Sequence, residues 1–519
     1  MNAEVLDAVR REATGQLDQA KRGALGQFMT PSVIAAFMAS LFTIKRTGPV
    51  RLMDAGAGVG SLSAAFLDRA MSEGVSVALE AWELDATLQR YLRGTLAEYG
   101  RIAASHGIHV DATVHTSDFI AQAVLRLGTQ REPKFTHAIL NPPYKKMSSS
   151  STHRLLLRKV RVETVNFYTA FVALAILLME DGGEIVAIIP RSFCNGTYYR
   201  PFRELLLNQC AIRQIHLFES RTKAFADDEV LQENLIVHLV KNAPQGAVKV
   251  TTSQGADFGD MLGIAHPFDA IVLPGDAERF IHIPTPGLGH VASALFAHDL
   301  TQIGLQVCTG PVVDFRLKEY WQQDPKTGSV PLLYAHHFSD GVLTWPKTHK
   351  KPNALTRHPE VDKWLMPVGH YVIVKRFSSK EERRRVVAHV VAPGDLDGEW
   401  IGFENHWNVF HFGKKGLSAR IAHGLAAFLN STMFDAQFRV FSGHTQVNAT
   451  DLRAMKYPGC DTLMALGARV KGWGNDQHAI DALILDFDVE GNSIESSQMP
   501  HSAHRCARKK AAMLNRHTH

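Results

Sequence analysis

The segment VRLMDAGAGVG, Val50 to Gly60, reads as a short apolar strand running into a glycine-rich turn, and SLSAAFLDRA, Ser61 to Ala70, then reads as a helix. Glycines at such a turn let the backbone pass close to a ligand, and the start of a helix offers free N–H groups. The pattern Asp54-x-Gly56-x-Gly58-x-Gly60 is therefore a candidate site for a nucleoside-containing cofactor. No Gly-Lys-Ser/Thr follows it, so the turn is not a P-loop for nucleotide hydrolysis.

Outward from this turn the same alternation repeats. Val75 to Trp82 is a second strand, closed by Glu83-Leu84-Asp85 and followed by helical Ala86 to Tyr99. His109 to His115 is a third strand ending near Asp118-Phe119, and Ala138 to Leu140 is a fourth, running straight into Asn141-Pro142-Pro143-Tyr144. A long apolar helix (Phe167 to Met179), a strand (Glu184 to Ile189) and further αβ units lead to Val240. This order predicts an α/β domain with a mostly parallel, Rossmann-like sheet covered on both faces. Ligands of such sheets bind outside the carboxyl ends of the strands, where the acidic and glycine residues fall. Glu83 is placed to hold ribose hydroxyls, and Asp118 to accept from an adenine amino group. Either alone reads equally well as a helix cap or surface carboxylate. Asp54, Glu83 and Asp118 at three successive strand ends favour a site.

Asn141-Pro142-Pro143-Tyr144 is the most specific feature. Two prolines stiffen the backbone and leave carbonyls free as acceptors. An exocyclic amine on a base is a poor nucleophile because its lone pair is delocalised into the ring. The Asn141 side-chain oxygen and the Pro142 carbonyl can both accept from that NH₂ group, drawing the nitrogen toward a pyramidal geometry and stabilising its developing charge. Tyr144 is suited to stacking on the base face.

At this point the chain resembles the gamma class of S-adenosylmethionine-dependent DNA adenine-N6 methyltransferases, the TaqI-like and PstI/BsuBI-type enzymes of type II restriction–modification systems. Gly26-Gln-Phe-Met-Thr30-Pro31 resembles the first motif of that family, which implies that Thr30 contacts the methionine end of the cofactor. The resemblance further implies S-adenosyl-L-methionine held by Asp54, Ala55, Gly56, Gly58, Glu83, Asp118, Phe119 and Pro143. It assigns the catalytic positions to Asn141, Pro142 and Tyr144. The fold it implies is a class I methyltransferase sheet with a C-terminal mixed α+β target-recognition domain. The acceptor it implies is N6 of adenine in a short sequence of double-stranded DNA, flipped out of the helix. A second aromatic would then cover the base, from within Gln306 to Phe315. A cognate restriction endonuclease is the expected functional partner, and a monomer the expected state. RNA or a glutamine side chain is an alternative acceptor for the same tetrapeptide, and a catalytically silent DNA-binding relative is an alternative from another class.

Composition agrees with an ordinary globular chain: 45% hydrophobic and 21% charged residues over 519 positions. Five scattered cysteines without CxxC or Cys/His ligand spacing suggest neither a disulfide framework nor a metal site. The first residues lack an apolar signal core, and no apolar run is long enough to span a membrane, so a cytoplasmic protein is expected. The net charge of +5 hides an asymmetry. Residues 301–460 carry 20 Lys and Arg against 14 Asp and Glu, and residues 491–519 carry 5 against 1, leaving the remainder at −5. Basic and aromatic residues interleave in the second half, as in Trp345-Pro-Lys347, Lys375-Arg376-Phe377, Arg383-Arg384-Arg385 and Lys414-Lys415. Such a pattern suits phosphate contacts with a few side chains left to read base edges. Ser442 to Asn448 reads as a DNA-facing or interdomain loop. The expected layout is a catalytic domain over 1–245, a connector over 246–300, a recognition domain over 301–460 and an extension over 461–519, its last ~28 residues disordered.

Overall fold

A computed structural model of the chain describes residues 3–17, 29–45, 48–129, 134–219, 233–285, 293–339, 341–378, 382–442, 446–470 and 476–495. Gly26 to Phe28 of the first motif, Gly443 to Thr445 of the polar loop and the tail from residue 496 lie outside them. The chain divides into two compact units, Met1–Gly287 and Leu288–His519.

The first unit is built on one sheet of nine strands. In chain order its elements are α1 (Ala3–Gln16), α2 (Ser32–Ser40), β1 (Val50–Ala55), α3 (Ser61–Ser72), β2 (Val77–Trp82), α4 (Ala86–Ser105), β3 (Val110–His115), α5 (Phe119–Thr129) and β4 (Phe135–Leu140). They continue with α6 (Thr152–Lys159), α7 (Phe167–Leu178), β5 (Met179–Pro190), α8 (Arg200–Gln209), β6 (Cys210–Phe218), β7 (Asn234–Lys241), β8 (Val248–Ser253) and β9 (Leu262–His266). The strand order is β3-β2-β1-β4-β5-β7-β6-β8-β9. β3 through β5 are parallel, whereas β7 is antiparallel to both β5 and β6. The sequence reading of successive αβ units to Val240 is thus corrected at its end: β7 enters between β5 and β6 in the opposite direction. Nothing in an apolar run states its direction, because a strand buried on both faces looks the same either way. Residues 246–300 contribute β8 and β9 to the same sheet.

Two apolar layers cover the sheet. α4 shows why: Leu88, Leu92, Thr95, Leu96, Tyr99 and Ala103 are its buried residues, a helical stripe that closes against the β-layer. Its start is fixed by Asp85, whose side chain accepts from the backbone N–H of Thr87 and Leu88, a cap of about 1 kcal/mol. α7 is buried nearly all round, as its composition, FYTAFVALAILL, requires. Among the described residues no helix is long and apolar enough to cross a membrane. The parallel order reverses between β1 and β4, and at such a switch point the loops leaving the two strands part and open a crevice at the carboxyl edge.

The second unit lacks this alternation. It contains a four-stranded antiparallel sheet in the order Gln306–Thr309, Trp407–His411, Tyr371–Lys375, Ala388–Val391, and a five-stranded sheet of short strands. Helices Ala419–Leu429, Thr432–Phe441, Cys460–Arg469 and Gln477–Glu495 follow.

Candidate active site

β1 delivers Asp54 to the crevice, wholly buried. Ser63 on α3 donates to its Oδ2 at 2.6 Å, while among the described residues Oδ1 has no hydrogen-bond partner. Burial, aided by the nearby Glu83 charge, raises the Asp54 carboxyl to about 7 against the hydrogen bonds from Ser63. Glu83, at the end of β2, is also buried. Its two oxygens accept from the backbone N–H of Gly58 at 2.9 Å and of Asp85 at 2.8 Å. Burial raises its pKa as well. The glycine turn between them is held down by the Trp82 carbonyl, which accepts from the N–H of both Gly56 and Ala57 at 2.9 Å. Gly60 caps α3 from the left-handed region at φ 89°, and a methyl group there would sit 2.9 Å from the buried Leu92 side chain.

The tetrapeptide follows β4 and meets this turn. A Cβ placed on Gly56, at φ 81°, would lie 3.8 Å from the Asn141 carbonyl oxygen and 4.0 Å from Pro143 Cδ. A side chain would fill that gap, so the glycine keeps open the seam between the two motifs. The Asn141 amide is oriented from both ends. Its Nδ2 donates to Thr30 Oγ1 at 2.9 Å, and its Oδ1 lies 3.0 Å from the Tyr144 hydroxyl. That hydroxyl also lies 3.2 Å from the Ile188 carbonyl, so one proton is shared between two acceptors. Burial pushes the Tyr144 hydroxyl above its ordinary range and keeps it a neutral donor. Thr30 itself is buried just ahead of α2, 111 residues from Asn141.

At the third strand end Asp118 accepts from the Ala121 N–H at 2.8 Å, capping α5, and from His153 Nε2 at 3.0 Å. The Phe119 ring is buried, packed tilted on Phe171 at 4.9 Å and edge-on to Trp82 at 5.3 Å. The structure therefore brings Thr30, Asp54, Gly56, Gly58, Glu83 and Asn141 to one edge, with Thr30 bonded to Asn141, Gly58 to Glu83, and Gly56 beside the Asn141 carbonyl. Asp118 and Phe119 stand at the neighbouring strand end.

Several polar residues here carry no sequence signal. His153 reaches Asp118 only because α6 returns across the site. Behind Tyr144, whose ring meets Tyr168 edge-on at 6.3 Å, Tyr168 shares a 2.9 Å hydrogen bond with Ser192, and Tyr199 is bonded to Asn166 and Ser192.

In the second unit the basic runs divide. Arg385 is buried with its guanidinium 5.8 Å from the Phe438 ring centre, and Arg384 donates to the Asn430 carbonyl at 2.8 Å. Lys347 donates to the His336 carbonyl at 2.9 Å, whereas Lys414 and Lys415 are exposed. Phe315 is 61% exposed. The flanks of the polar loop are structural: Asn408 donates to the Val447 carbonyl, and Asn448 caps the helix Ala449–Ala454.

A glycine turn after β1, a carboxylate closing β2 and Asn-Pro-Pro-Tyr after β4 thus gather at the carboxyl edge of a Rossmann-like sheet. The profile of the Eco57I restriction-modification methylase family matches residues 103–225. The chain is 50% identical over 455 residues to the type II methyltransferase M.BsuBI of Bacillus subtilis, covering 86% of this chain and 90% of that one. It is 41% identical over 488 residues to the type II methyltransferase M.PstI of Providencia stuartii, covering 92% and 96%. The chain belongs to the type II methyltransferases of restriction–modification systems, and it is an enzyme. Its fold is also similar to that of the type IIL restriction–modification enzyme MmeI solved in complex with DNA, at a TM-score of 0.56 and 11% identity, covering 95% of this chain and 79% of that one.

Proposed function

We propose that this chain transfers a methyl group from S-adenosyl-L-methionine to N6 of an adenine flipped out of a short, specific sequence of double-stranded DNA. It acts as a monomer in the cytoplasm, and the modification protects DNA from a cognate restriction endonuclease. The observation that carries the reading is the Asn141 amide, fixed by Thr30 on one side and Tyr144 on the other, beside the Gly56 turn.

The crevice fits the cofactor on its own evidence. Asp54 keeps one buried, unpartnered carboxylate oxygen, which a cationic group would satisfy. Glu83 is held rigidly by two backbone N–H groups, with lone pairs left for hydroxyls. Gly56 leaves a gap a side chain would fill. Thr30, Asp54, Ala55, Gly56, Gly58, Glu83, Asp118, Phe119 and Pro143 are the residues assigned to hold it. When bound, S-adenosylmethionine supplies an electrophilic methyl group on a sulfonium sulfur.

The protein's part is to make an amine nucleophilic and to aim it. Because Thr30 takes the Asn141 Nδ2 hydrogen, the amide presents Oδ1 as an acceptor. Asn141 Oδ1 and the Pro142 carbonyl each accept one N6 hydrogen, pulling the lone pair out of conjugation and toward the methyl carbon. The amino nitrogen so held would be aimed at the methyl group that the bound cofactor supplies, and the N6 proton released on transfer would leave to solvent. Tyr144 packs on the base face, and its buried hydroxyl stays neutral throughout. Single-molecule sequencing of DNA from cells expressing the chain tests the reading. N6-methyladenine in one short context is expected; modified cytosine alone, or unmodified DNA, overturns it.

A further inference from the structure

Asn234 opens β7 directly opposite Pro190 of β5, at the carboxyl edge that also carries Asn141. It is 4% exposed, yet among the described residues neither its side-chain oxygen nor its side-chain nitrogen has a hydrogen-bond partner. Asn195, in the turn that leaves β5, is buried in the same condition. An unsatisfied buried amide is costly, and native structures retain few. Where local rules are broken without local compensation, function is the usual reason.

The placement of Asn234 says which function. Along β7, Leu235, Val237 and Leu239 belong to the α7 layer and Ile236 to the α2–α3 layer. Alternation puts Asn234 on the α2–α3 side. β4 alternates in the same way, with Ala138 and Leu140 in the first layer and Ile139 in the second. Asn141 therefore falls on the α2–α3 side too, as its bond to Thr30 requires. Asp54 shares that side, since Met53 and Ala55 face the other. The crevice thus has two halves. Asp54, Glu83 and Asp118 lie on the β1-β2-β3 side of the switch point, and Asn234 lies on the opposite side, two strands beyond Asn141. Two inter-strand spacings amount to roughly 10 Å, the span of one purine with a hydrogen bond at each end. The amide N–H is also a group that matches the ring nitrogens of a purine, which are acceptors.

We infer that Asn234 is a substrate-binding residue: its amide donates to a ring nitrogen of the flipped adenine and so sets N6 against Asn141. The inference rests on the adenine-N6 reading above. Base binding gives the Asn234 Nδ2 donor an acceptor, so part of the cost carried by the free enzyme is recovered when the base enters.

The test compares wild type with Asn234→Leu, of similar volume and no polarity, and with Asn234→Ser, which keeps a donor. Substrates are duplexes carrying the mapped recognition sequence, with the target as adenine or as its 1-deaza, 3-deaza or 7-deaza analogue. With adenine, Asn234→Leu should lose about tenfold or more in kcat/KM, the effect of one buried hydrogen bond, and Asn234→Ser less. Its melting temperature should equal or exceed that of wild type, and its dissociation constant for S-adenosylmethionine should be unchanged. One deaza base should slow wild type yet slow Asn234→Leu no further than adenine itself does. Equal kcat/KM for wild type and Asn234→Leu overturns the inference, as does a lowered melting temperature with all three deaza bases acting alike on both proteins. If Asn234→Leu fails to fold, the same deaza comparison between wild type and Asn234→Ser decides. A wild-type enzyme that leaves adenine unmethylated refutes the base reading itself, which is a separate outcome.

Discussion

Replacing Asn141 with Ala should abolish the chemistry while leaving the scaffold standing, and the structure sets both magnitudes. The side chain bonds to Thr30 Oγ1 at 2.9 Å and accepts from the Tyr144 hydroxyl at 3.0 Å. Tyr144 keeps the Ile188 carbonyl as an acceptor, while the buried Thr30 hydroxyl loses the Asn141 amide. At about 0.5–1.5 kcal/mol per neutral bond, plus the orphaned hydroxyl, the stability loss should be about 1–3 kcal/mol. The catalytic loss is of another size, because Oδ1 acts where charge develops. Removing one such preorganised group costs about 10²–10³ in kcat, or roughly 3–4 kcal/mol. Thr30→Val separates orientation from acceptance: Oδ1 remains while its anchor is gone, and kcat should fall about tenfold, one such hydrogen bond's worth. The assay is single-turnover transfer of a labelled methyl group to DNA lacking the modification, with cofactor affinity measured in parallel by calorimetry. Cofactor affinity should move less than fivefold in Asn141→Ala, whereas Thr30→Val, at a residue also assigned to hold the cofactor, should weaken it further. An Asn141→Ala enzyme with a kcat within threefold of wild type would refute the proposed role of the amide, and so would a loss confined to KM.

Three further outcomes follow from the same geometry. Tyr144→Phe keeps the ring and deletes only the shared hydroxyl, so its kcat should stay within tenfold of wild type; Tyr144→Ala loses base stacking of about 1–3 kcal/mol, and a similar loss in both would place the effect in the hydroxyl. Asp54 is raised to about 7, so the free enzyme holds its proton below that pH; a cation bound beside it expels the proton, and affinity for S-adenosylmethionine should climb as pH rises toward 7 and then level off. Asn at position 54 should flatten that profile in calorimetric titrations and, since a raised carboxyl pKa costs stability increasingly from 3.8 to about 7, should also raise the melting temperature at neutral pH. Gly60→Ala imposes a left-handed φ on an L-residue, about 1–2 kcal/mol, and drives its methyl toward Leu92; an unchanged urea midpoint would show that the turn relaxes freely.

Much of the first unit is legible along the chain because its signals are local. Val50 to Gly60 carries an apolar strand, its glycine turn and the helix after it within a dozen positions, and the structure places them as read. Boundaries shift where tertiary packing extends an element: α4 runs to Ser105 because Ala103 still falls on its buried face, and β5 begins at Met179 by pairing with Phe135. The direction of β7 was not legible. Nor were the partners of the functional groups, since Thr30 with Asn141 and His153 with Asp118 are pairings across 111 and 35 residues. The arginine run at 383–385 misled in a telling way. Charge alone suggests an outward face, but Asp435 accepts from the Arg385 backbone N–H and the helix Thr432–Phe441 covers the side chain.

The sequence by itself determined the chemistry on offer: which residue types leave each strand, how the prolines stiffen Asn141, and where glycine admits a ligand. Those are properties of neighbours a few bonds apart, set by backbone sterics and side-chain periodicity. Only the tertiary structure decided which of these groups meet, because strand order is chosen by burial of whole faces and not by any short segment. That choice put Thr30 on the Asn141 amide and, among the described residues, left one oxygen of Asp54 and the amide of Asn234 buried without hydrogen-bond partners.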